Sequence, residues 1–141
     1  MTARNANFVI DASVAVKWFS QEAHRLKAIK ILKKLEHDQY HLIAPELLLY
    51  EVTNALWKGK RLNSEDIKSV VNDILNMGIE YYQLDKFLSF QAIDFMIKYD
   101  LTFYDAVYGA LAFSFNIPLI SANPKHHKKI KEIKVIDIAK F

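Results

Sequence analysis

The chain has 141 residues, 52% of them hydrophobic and 25% charged, a balance typical of one soluble globular domain (1–141) and not of a disordered chain. Cysteine is absent, which excludes disulfides, thiolate metal sites and cysteine nucleophiles, and fits a cytoplasmic protein. The formal net charge of +3 permits a nucleic-acid partner. The lack of any long apolar run predicts no membrane segment, and the N-terminus lacks the apolar stretch of a signal peptide.

Short apolar runs alternate with helical patterns along the chain. We predict strands at 8–10, 40–44, 79–84, 117–120 and 135–138. We predict helices at 14–19, 22–37, 45–58, 64–77, 87–99, 102–115 and 124–131, the last of them basic. The first strand is a continuous apolar run, which favours a central strand covered on both faces. The alternation of strands and helices predicts a parallel sheet layered with helices.

Individual residues mark where the predicted helices begin and end. Pro45 suits the first position of a helix, and Gly59 suits the position just after its last turn. Asn63 or Ser64 caps the next helix, which stops at Gly78.

Three of the helices are distinguished by their apolar residues. Helix 64–77 carries a single stripe made of Ile67, Val70, Val71, Ile74 and Leu75. Helix 87–99 places Phe90, Ile93 and Ile97 on one face. Helix 102–115 is rich in alanine and aromatic residues, and we therefore expect it to be buried.

Asp11 stands where the first strand turns into a helix. In open α/β sheets, ligands collect at this edge, outside the carboxyl ends of the strands. An alternative is that Asp11 or Ser13 only caps the following helix, as Asp and Ser commonly do. The rest of the chain favours a functional role, because other oxygen-bearing side chains occur at comparable places.

Glu51 lies on an otherwise apolar and small helical face, with Leu48, Asn54 and Ala55 among its neighbours. A carboxylate there is costly unless it is paired, hydrated or bound to a metal. The structural alternative is that Glu51 sits at the edge of the stripe and reaches water.

For Asp105 and Asn123, a purely structural role explains the sequence as well as a functional role does. Thr102 and Asp105 are spaced as a capping box, and Asn123 before Pro124 resembles a helix cap. Together with Asp11 and Glu51, however, they form a set of oxygen ligands, which Mg²⁺ and Mn²⁺ prefer. The histidines show no zinc-site spacing, and we expect the pair at 126–127 to lie on a solvated face.

Four segments together resemble the PIN domain family, close to the toxin ribonucleases of VapBC toxin–antitoxin pairs. They are 9–19, 45–56, 104–112 and 117–123. The resemblance implies a three-layer α/β/α sandwich with Asp11, Glu51 and Asp105 as catalytic metal ligands. It places Ser13 and Asn54 as hydrogen-bonding neighbours of these ligands. Asn123 takes the position of a fourth metal ligand but departs from the family pattern, which usually has Asp there.

The resemblance implies a divalent-metal-dependent endoribonuclease that uses Mg²⁺ or Mn²⁺, with RNA as substrate. It also implies a small antitoxin protein as partner and a homodimer. Lys17 and Lys125 are candidate contacts to the RNA backbone. One alternative is a catalytically weak PIN domain that binds RNA or protein, with Asn123 as the disabling change. The other is a phosphoryl-accepting domain with Asp11 as acceptor, which the missing Asp-x-Asp pattern disfavours.

Overall fold

Five parallel strands form one sheet in the computed structural model, which describes residues 6–141. The strands are β1 (Ala6–Ile10), β2 (Tyr40–Pro45), β3 (Glu80–Tyr82), β4 (Leu119–Ser121) and β5 (Val135–Asp137). Their order across the sheet is β3-β2-β1-β4-β5. Because β1 is central, Val9 is paired with both Ile43 of β2 and Leu119 of β4. Residues 1–5 of the predicted domain lie outside the described residues.

Six α-helices cover the two faces of the sheet within residues 6–141. They are α1 (Ala12–Val16), α2 (Arg25–Glu36), α3 (Leu47–Asn54), α4 (Ser64–Asn76), α5 (Lys86–Tyr99) and α6 (Phe103–Phe115). The prediction of a three-layer α/β/α sandwich is confirmed. Helix α6 packs against three of the strands and supports α5 on its outer side. None of the described helices combines the length and the apolar content needed to cross a bilayer.

The core is built from the apolar runs that the sequence marks as strands. Val9 and Ile10 of β1 are completely buried, since helices cover both faces of the central strand. Helix α6 is buried without interruption from Ala106 to Ala112, which confirms the expectation for this segment. Asn63 and Thr102 cap their helices through side-chain oxygens, as predicted.

Three local predictions are wrong. Pro45 is the last residue of β2 and not the first of α3, a strand-end position that tolerates a residue without an N–H; the next residue continues the contact with β3, as Glu46 N donates to Tyr82 O at 3.0 Å. Gly59 is not the residue just after the last helical turn but the last residue of a π-helical turn, Ala55–Gly59, that continues α3. The basic helix at 124–131 is reduced to a 3₁₀ turn, His127–Lys129.

Helix α5 turns its most conspicuous apolar face to solvent. Ile97 is 74% exposed, and Phe90 and Ile93 on the same face are also exposed. The helix instead packs against the core through Leu88, Ala92 and Phe95. On α4, only Ile74 of the predicted stripe is fully buried.

The strand order determines where a ligand can approach the sheet. The chain leaves β1 towards β2 on one side and later returns to β4 on the other. The connections that leave the carboxyl ends of β1 and β4 therefore run to opposite sides. This topological switch point is where open α/β sheets usually bind ligands. Asp11 directly follows β1, and Ser121 ends β4.

Candidate functional site

A cleft of about 170 Å³ opens at the switch point between β1 and β4. It is lined by Asp11, Ala12, Ser13, Glu51, Asp105, Tyr108, Asn123, His126 and His127. The cleft thus unites the end of β1, helices α3 and α6, and the loop after β4. All four oxygen-bearing residues that the sequence singles out line it, although they are spread over more than a hundred positions of the chain.

Asp11 is the centre of a hydrogen-bond network and is only 6% exposed. Its Oδ1 accepts from Ser13 Oγ and, at 3.4 Å, from Val14 N. Its Oδ2 accepts from Ser121 Oγ at 2.5 Å and lies 3.2 Å from His127 Nε2. The structural and functional readings of Asp11 therefore coexist, since the side chain caps α1 and also faces the cleft.

The two serines that hold Asp11 are themselves held by the backbone after β4. Ala122 N donates to Ser13 Oγ at 2.9 Å, and Asn123 N donates to Ser121 Oγ at 3.0 Å. Each hydroxyl oxygen is thereby used as an acceptor, and its proton is directed to Asp11. The orientation of the Asp11 carboxylate is consequently set by two separate chain segments.

Glu51 projects from α3 towards Asp11 and Asp105. Burial raises the pKa of Glu51, the neighbouring charges of Asp11 and Asp105 raise it further, and a hydrogen bond from Tyr108 opposes the shift. Tyr108 OH donates to Glu51 Oε1 at 2.7 Å. Because burial raises the pKa of Tyr108, its hydroxyl keeps the proton that it donates to Glu51.

Asp105 lies in the first turn of α6, where its backbone N–H donates to Thr102 Oγ1 at 3.1 Å. Its carboxylate is more accessible than that of Asp11, and its Oδ1 lies 4.0 Å from His127 Nε2. Asn123 is exposed at the rim of the cleft. The predicted role of Asn123 as a helix cap is wrong, because no α-helix follows it.

His127 belongs to the site, although the sequence predicts that it lies on a solvated face. The expectation of a solvated histidine pair is wrong for His127, which is 3% exposed, and right for His126. The His127 ring packs edge-on against Tyr108, with ring centroids 6.0 Å apart. Gly109 brings this segment close to α6, because a Cβ there would collide with Ile130. In the sequence, Ile130 is an apolar residue in a lysine-rich run, and this was the signal that part of the segment is buried.

Ser121 and Tyr108 also went unassigned, although both lie in segments that carry the family resemblance. Their functional contacts are made across the fold: Ser121 reaches Asp11, and Tyr108 reaches Glu51. A serine at a strand end and a tyrosine in an apolar helix have no distinctive local pattern. The pairing of β1 with β4 brings Ser121 to Asp11, and the packing of α6 brings Tyr108 to Glu51.

The remaining predicted residues lie outside the immediate cluster. Asn54 is exposed and is not among the residues that line the cleft. Lys17 is 9% exposed, and its Nζ donates to Ala23 O at 2.8 Å, beside a shallow depression that also borders Glu51 and Asn123. Lys125 is exposed near the rim but does not line the cleft.

The donor set has the chemistry of a divalent metal site. Three carboxylates face one cleft, and the pKa of Glu51 is raised by Asp11 and Asp105, a repulsion that a bound cation would relieve. Among residues 6–141, however, no three histidine, aspartate or glutamate side chains are already spaced around a metal position. The set therefore fits a divalent ion in its donor chemistry, and binding requires an adjustment of side chains.

Known proteins resemble this chain in sequence family and in fold. A family model for the PIN domain matches residues 8–132. VapBC2 from Rickettsia felis, solved with a DNA fragment from its promoter, is 15% identical with a TM-score of 0.73, over 93% of this chain and 98% of that chain. VapC20 from Mycobacterium tuberculosis, a sarcin–ricin loop cleaving toxin, is 14% identical with a TM-score of 0.71, over 90% and 98%.

A third similar structure is DNA-bound VapBC from Salmonella typhimurium, which is 14% identical with a TM-score of 0.73, over 94% of this chain and 98% of that chain. At these identities the likeness concerns the fold. Comparison with curated protein sequences gives no significant match.

Proposed function

Since the chain belongs to the PIN domain family, we propose that it is an endoribonuclease that hydrolyses RNA phosphodiester bonds with the help of Mg²⁺ or Mn²⁺. The observation that carries the proposal is the convergence of Asp11, Glu51 and Asp105 on one cleft. Asp11 caps α1, but that structural role does not require Glu51 and Asp105 to face the same cleft. Their mutual repulsion is tolerable when a cation is bound between them.

Each residue of the cleft has a distinct task in this proposal. Asp11, Glu51 and Asp105 would hold the ion, with Asn123 as a neutral oxygen donor at the rim. A bound divalent ion lowers the pKa of a water molecule and stabilises negative charge on phosphate oxygens. Ser13 and Ser121 keep Asp11 oriented, and Tyr108 does the same for Glu51. Without the cation, the carboxylates would repel the RNA backbone.

Basic residues near the rim are suited to hold the RNA backbone. Lys125 is exposed next to the loop that carries Asn123, as are Lys128 and Lys129. Lys17 is a weaker candidate, because its ammonium group is already engaged with Ala23 O. We therefore expect phosphate contacts mainly along the 125–129 segment.

We also propose a small antitoxin as partner, because similar folds occur in VapBC complexes, and a homodimer as assembly. An apolar groove next to the cleft offers a surface for a partner peptide. Its lining includes Pro45, Leu47, Tyr50, Leu84 and Tyr104. The exposed side chains Tyr50 and Tyr104 lie on the two helices that carry Glu51 and Asp105. A peptide bound there would reach the entrance of the cleft.

A catalytically weak PIN domain that binds RNA or protein is the second candidate function. Two observations favour it: Asn123 stands where the family usually has Asp, and no metal position is already formed among residues 6–141. In that case the cleft would bind without cleaving.

Cleavage of RNA by the purified, untagged protein separates the two functions. We expect single-stranded RNA to be cut in millimolar Mg²⁺ or Mn²⁺, no cleavage in EDTA, and recovery when excess Mn²⁺ is added. An identically purified Asp105→Asn protein controls for host nucleases. Retention of RNA without cleavage under all metal conditions would favour the binding module, and cleavage that resists EDTA would contradict a metal-dependent site.

Asn123→Asp is expected to lower the metal concentration needed for half-maximal cleavage, because it adds a negative charge at the rim of the cleft. Asn123→Ala is the matched control and should leave folding stability within about 0.5 kcal/mol, since Asn123 is exposed and caps no helix. A metal titration of cleavage for the three proteins tests this. Identical titrations for wild type and the Asp variant would take Asn123 out of the metal site.

A further inference from the structure

We propose that His127 is itself a metal ligand, which binds the divalent ion through Nε2 between Asp11 and Asp105 and makes the site prefer Mn²⁺ to Mg²⁺. This inference rests on the metal site of the proposed function and extends it from oxygen donors alone to a mixed nitrogen and oxygen set. His127 is buried at the floor of the cleft, with Nε2 directed at the carboxylates.

The distances from Nε2 to the carboxylate oxygens of Asp11 and Asp105 resemble distances between ligand atoms of one metal ion. Nε2 lies 3.2 Å from Asp11 Oδ2 and 4.0 Å from Asp105 Oδ1. Donor atoms bound to one octahedral ion at about 2.1 Å are about 3 Å apart when adjacent and about 4 Å apart when opposite. Nε2 is thus within reach of both carboxylates, and small side-chain movements would be needed to place all three atoms around one ion.

The hydrogen bond between His127 and Asp11 is the contact that a cation would replace. Both oxygens of Asp11 already have partners, so a cation must take the place of one donor. The serine hydroxyls are each tied to a backbone N–H after β4, and Val14 N belongs to the cap of α1. The contact between His127 Nε2 and Asp11 Oδ2 is not held in place by a backbone group in this way. An ion placed there would bind both atoms and leave the ring in its packing against Tyr108.

The other ring nitrogen must carry the proton in this exchange, and its N–H would then need an acceptor such as a water molecule. His127 Nδ1 is buried and has no hydrogen-bond partner among the described residues. A neutral imidazole carries its proton on one nitrogen and offers the other to a metal. Nδ1 is therefore the atom that keeps the proton when Nε2 binds the ion.

A nitrogen ligand changes which metal the site selects. Mg²⁺ prefers oxygen donors at near-ideal octahedral geometry, whereas imidazole suits first-row transition metals. Of Mg²⁺ and Mn²⁺, the transition metal Mn²⁺ accepts a nitrogen ligand more readily. The presence of Asn123 in place of an acidic residue reduces the anionic oxygen donors that would favour Mg²⁺. Both features point to Mn²⁺.

Pulsed electron paramagnetic resonance of the wild-type protein loaded with Mn²⁺ tests the ligand directly, without a variant that could misfold. We expect ¹⁴N modulation of the electron spin echo, and we expect the pattern to change when the protein contains ¹⁵N-labelled histidine. A Mn²⁺ complex without histidine nitrogen coupling would overturn the proposal. The protein should be untagged, so that no other histidine cluster competes.

Metal affinities measured by calorimetry assign the nitrogen to His127. His127→Gln is expected to weaken Mn²⁺ binding by about tenfold or more and Mg²⁺ binding much less, which removes the preference for Mn²⁺. His37→Gln removes an exposed histidine that does not line the cleft and should change neither affinity; thermal melts check that both variants fold. Unchanged Mn²⁺ affinity in His127→Gln would overturn the proposal, and tighter binding would mean that His127 competes with the ion.

The two failures are distinguishable. If Asp105→Asn weakens Mn²⁺ binding and His127→Gln does not, the carboxylate site stands and only the nitrogen ligand is wrong. If the wild type binds neither ion, the proposed metal site itself fails, and the inference about His127 fails with it.

Discussion

Asp105→Asn is expected to lower RNA cleavage by about 10²-fold or more while leaving the protein folded. The change preserves the shape of the side chain and removes one negative charge from the cleft. Asp105 is the best position for this test, because its carboxylate lies 4.0 Å from His127 Nε2, beyond hydrogen-bonding distance. Its structural role is played by the backbone N–H, which the substitution retains.

The folding stability of Asp105→Asn provides the internal check. The charge of Asp105 raises the pKa of Glu51, so its removal should leave the metal-free protein equally or slightly more stable at neutral pH. Asp94→Asn on α5 is the matched control, since Asp94 is exposed and does not line the cleft. Wild-type cleavage by Asp105→Asn, in preparations free of host nucleases, would show that the assigned site is wrong.

Asp11→Ala should destabilise the protein by about 3 kcal/mol or more, a far larger effect than that of Asp105→Ala. Asp11 accepts hydrogen bonds from Ser13, Val14 and Ser121 and faces His127 Nε2. Alanine would leave these donors without an acceptor in a site where water has little access. Asp11→Asn should be intermediate, because the amide keeps one acceptor oxygen and directs an NH₂ group at the other donors.

Urea unfolding of the metal-free variants at neutral pH measures this difference. Asp105→Ala should change the free energy of unfolding by less than about 1 kcal/mol, because its side chain makes none of these contacts. Equal losses for the two alanine variants would contradict the hydrogen-bond network described around Asp11. The comparison also separates loss of activity through misfolding from loss of a metal ligand.

The fold was predictable to the extent that local patterns report on burial. The continuous apolar run of β1 and the small and aromatic residues of α6 identify segments that are covered on all sides. The errors occur where a local signal has two solutions. Pro45 is tolerated at the end of β2 as well as at the start of a helix. The apolar face of α5 has the period of a buried face, yet it points to solvent.

The candidate site was predictable only in part. The sequence marks Asp11, Glu51, Asp105 and Asn123 because together they form a set of oxygen donors, although Asp11, Asp105 and Asn123 each also fit a helix cap. It does not mark the groups that orient them. Ser121 and Tyr108 are ordinary residues for a strand and a buried helix, and their importance arises from contacts with Asp11 and Glu51.

The sequence by itself determined the parallel α/β architecture and the oxygen donors of the cleft, because both follow from the order and spacing of residues along the chain. Only the tertiary structure decided that His127 is buried beside Asp11, 116 positions away in the chain, while His126 next to it is exposed. The physical reason is that burial of a polar side chain depends on what packs over it. Here Ile130 packs closely against α6 at Gly109, and His127, three residues earlier, is buried with it.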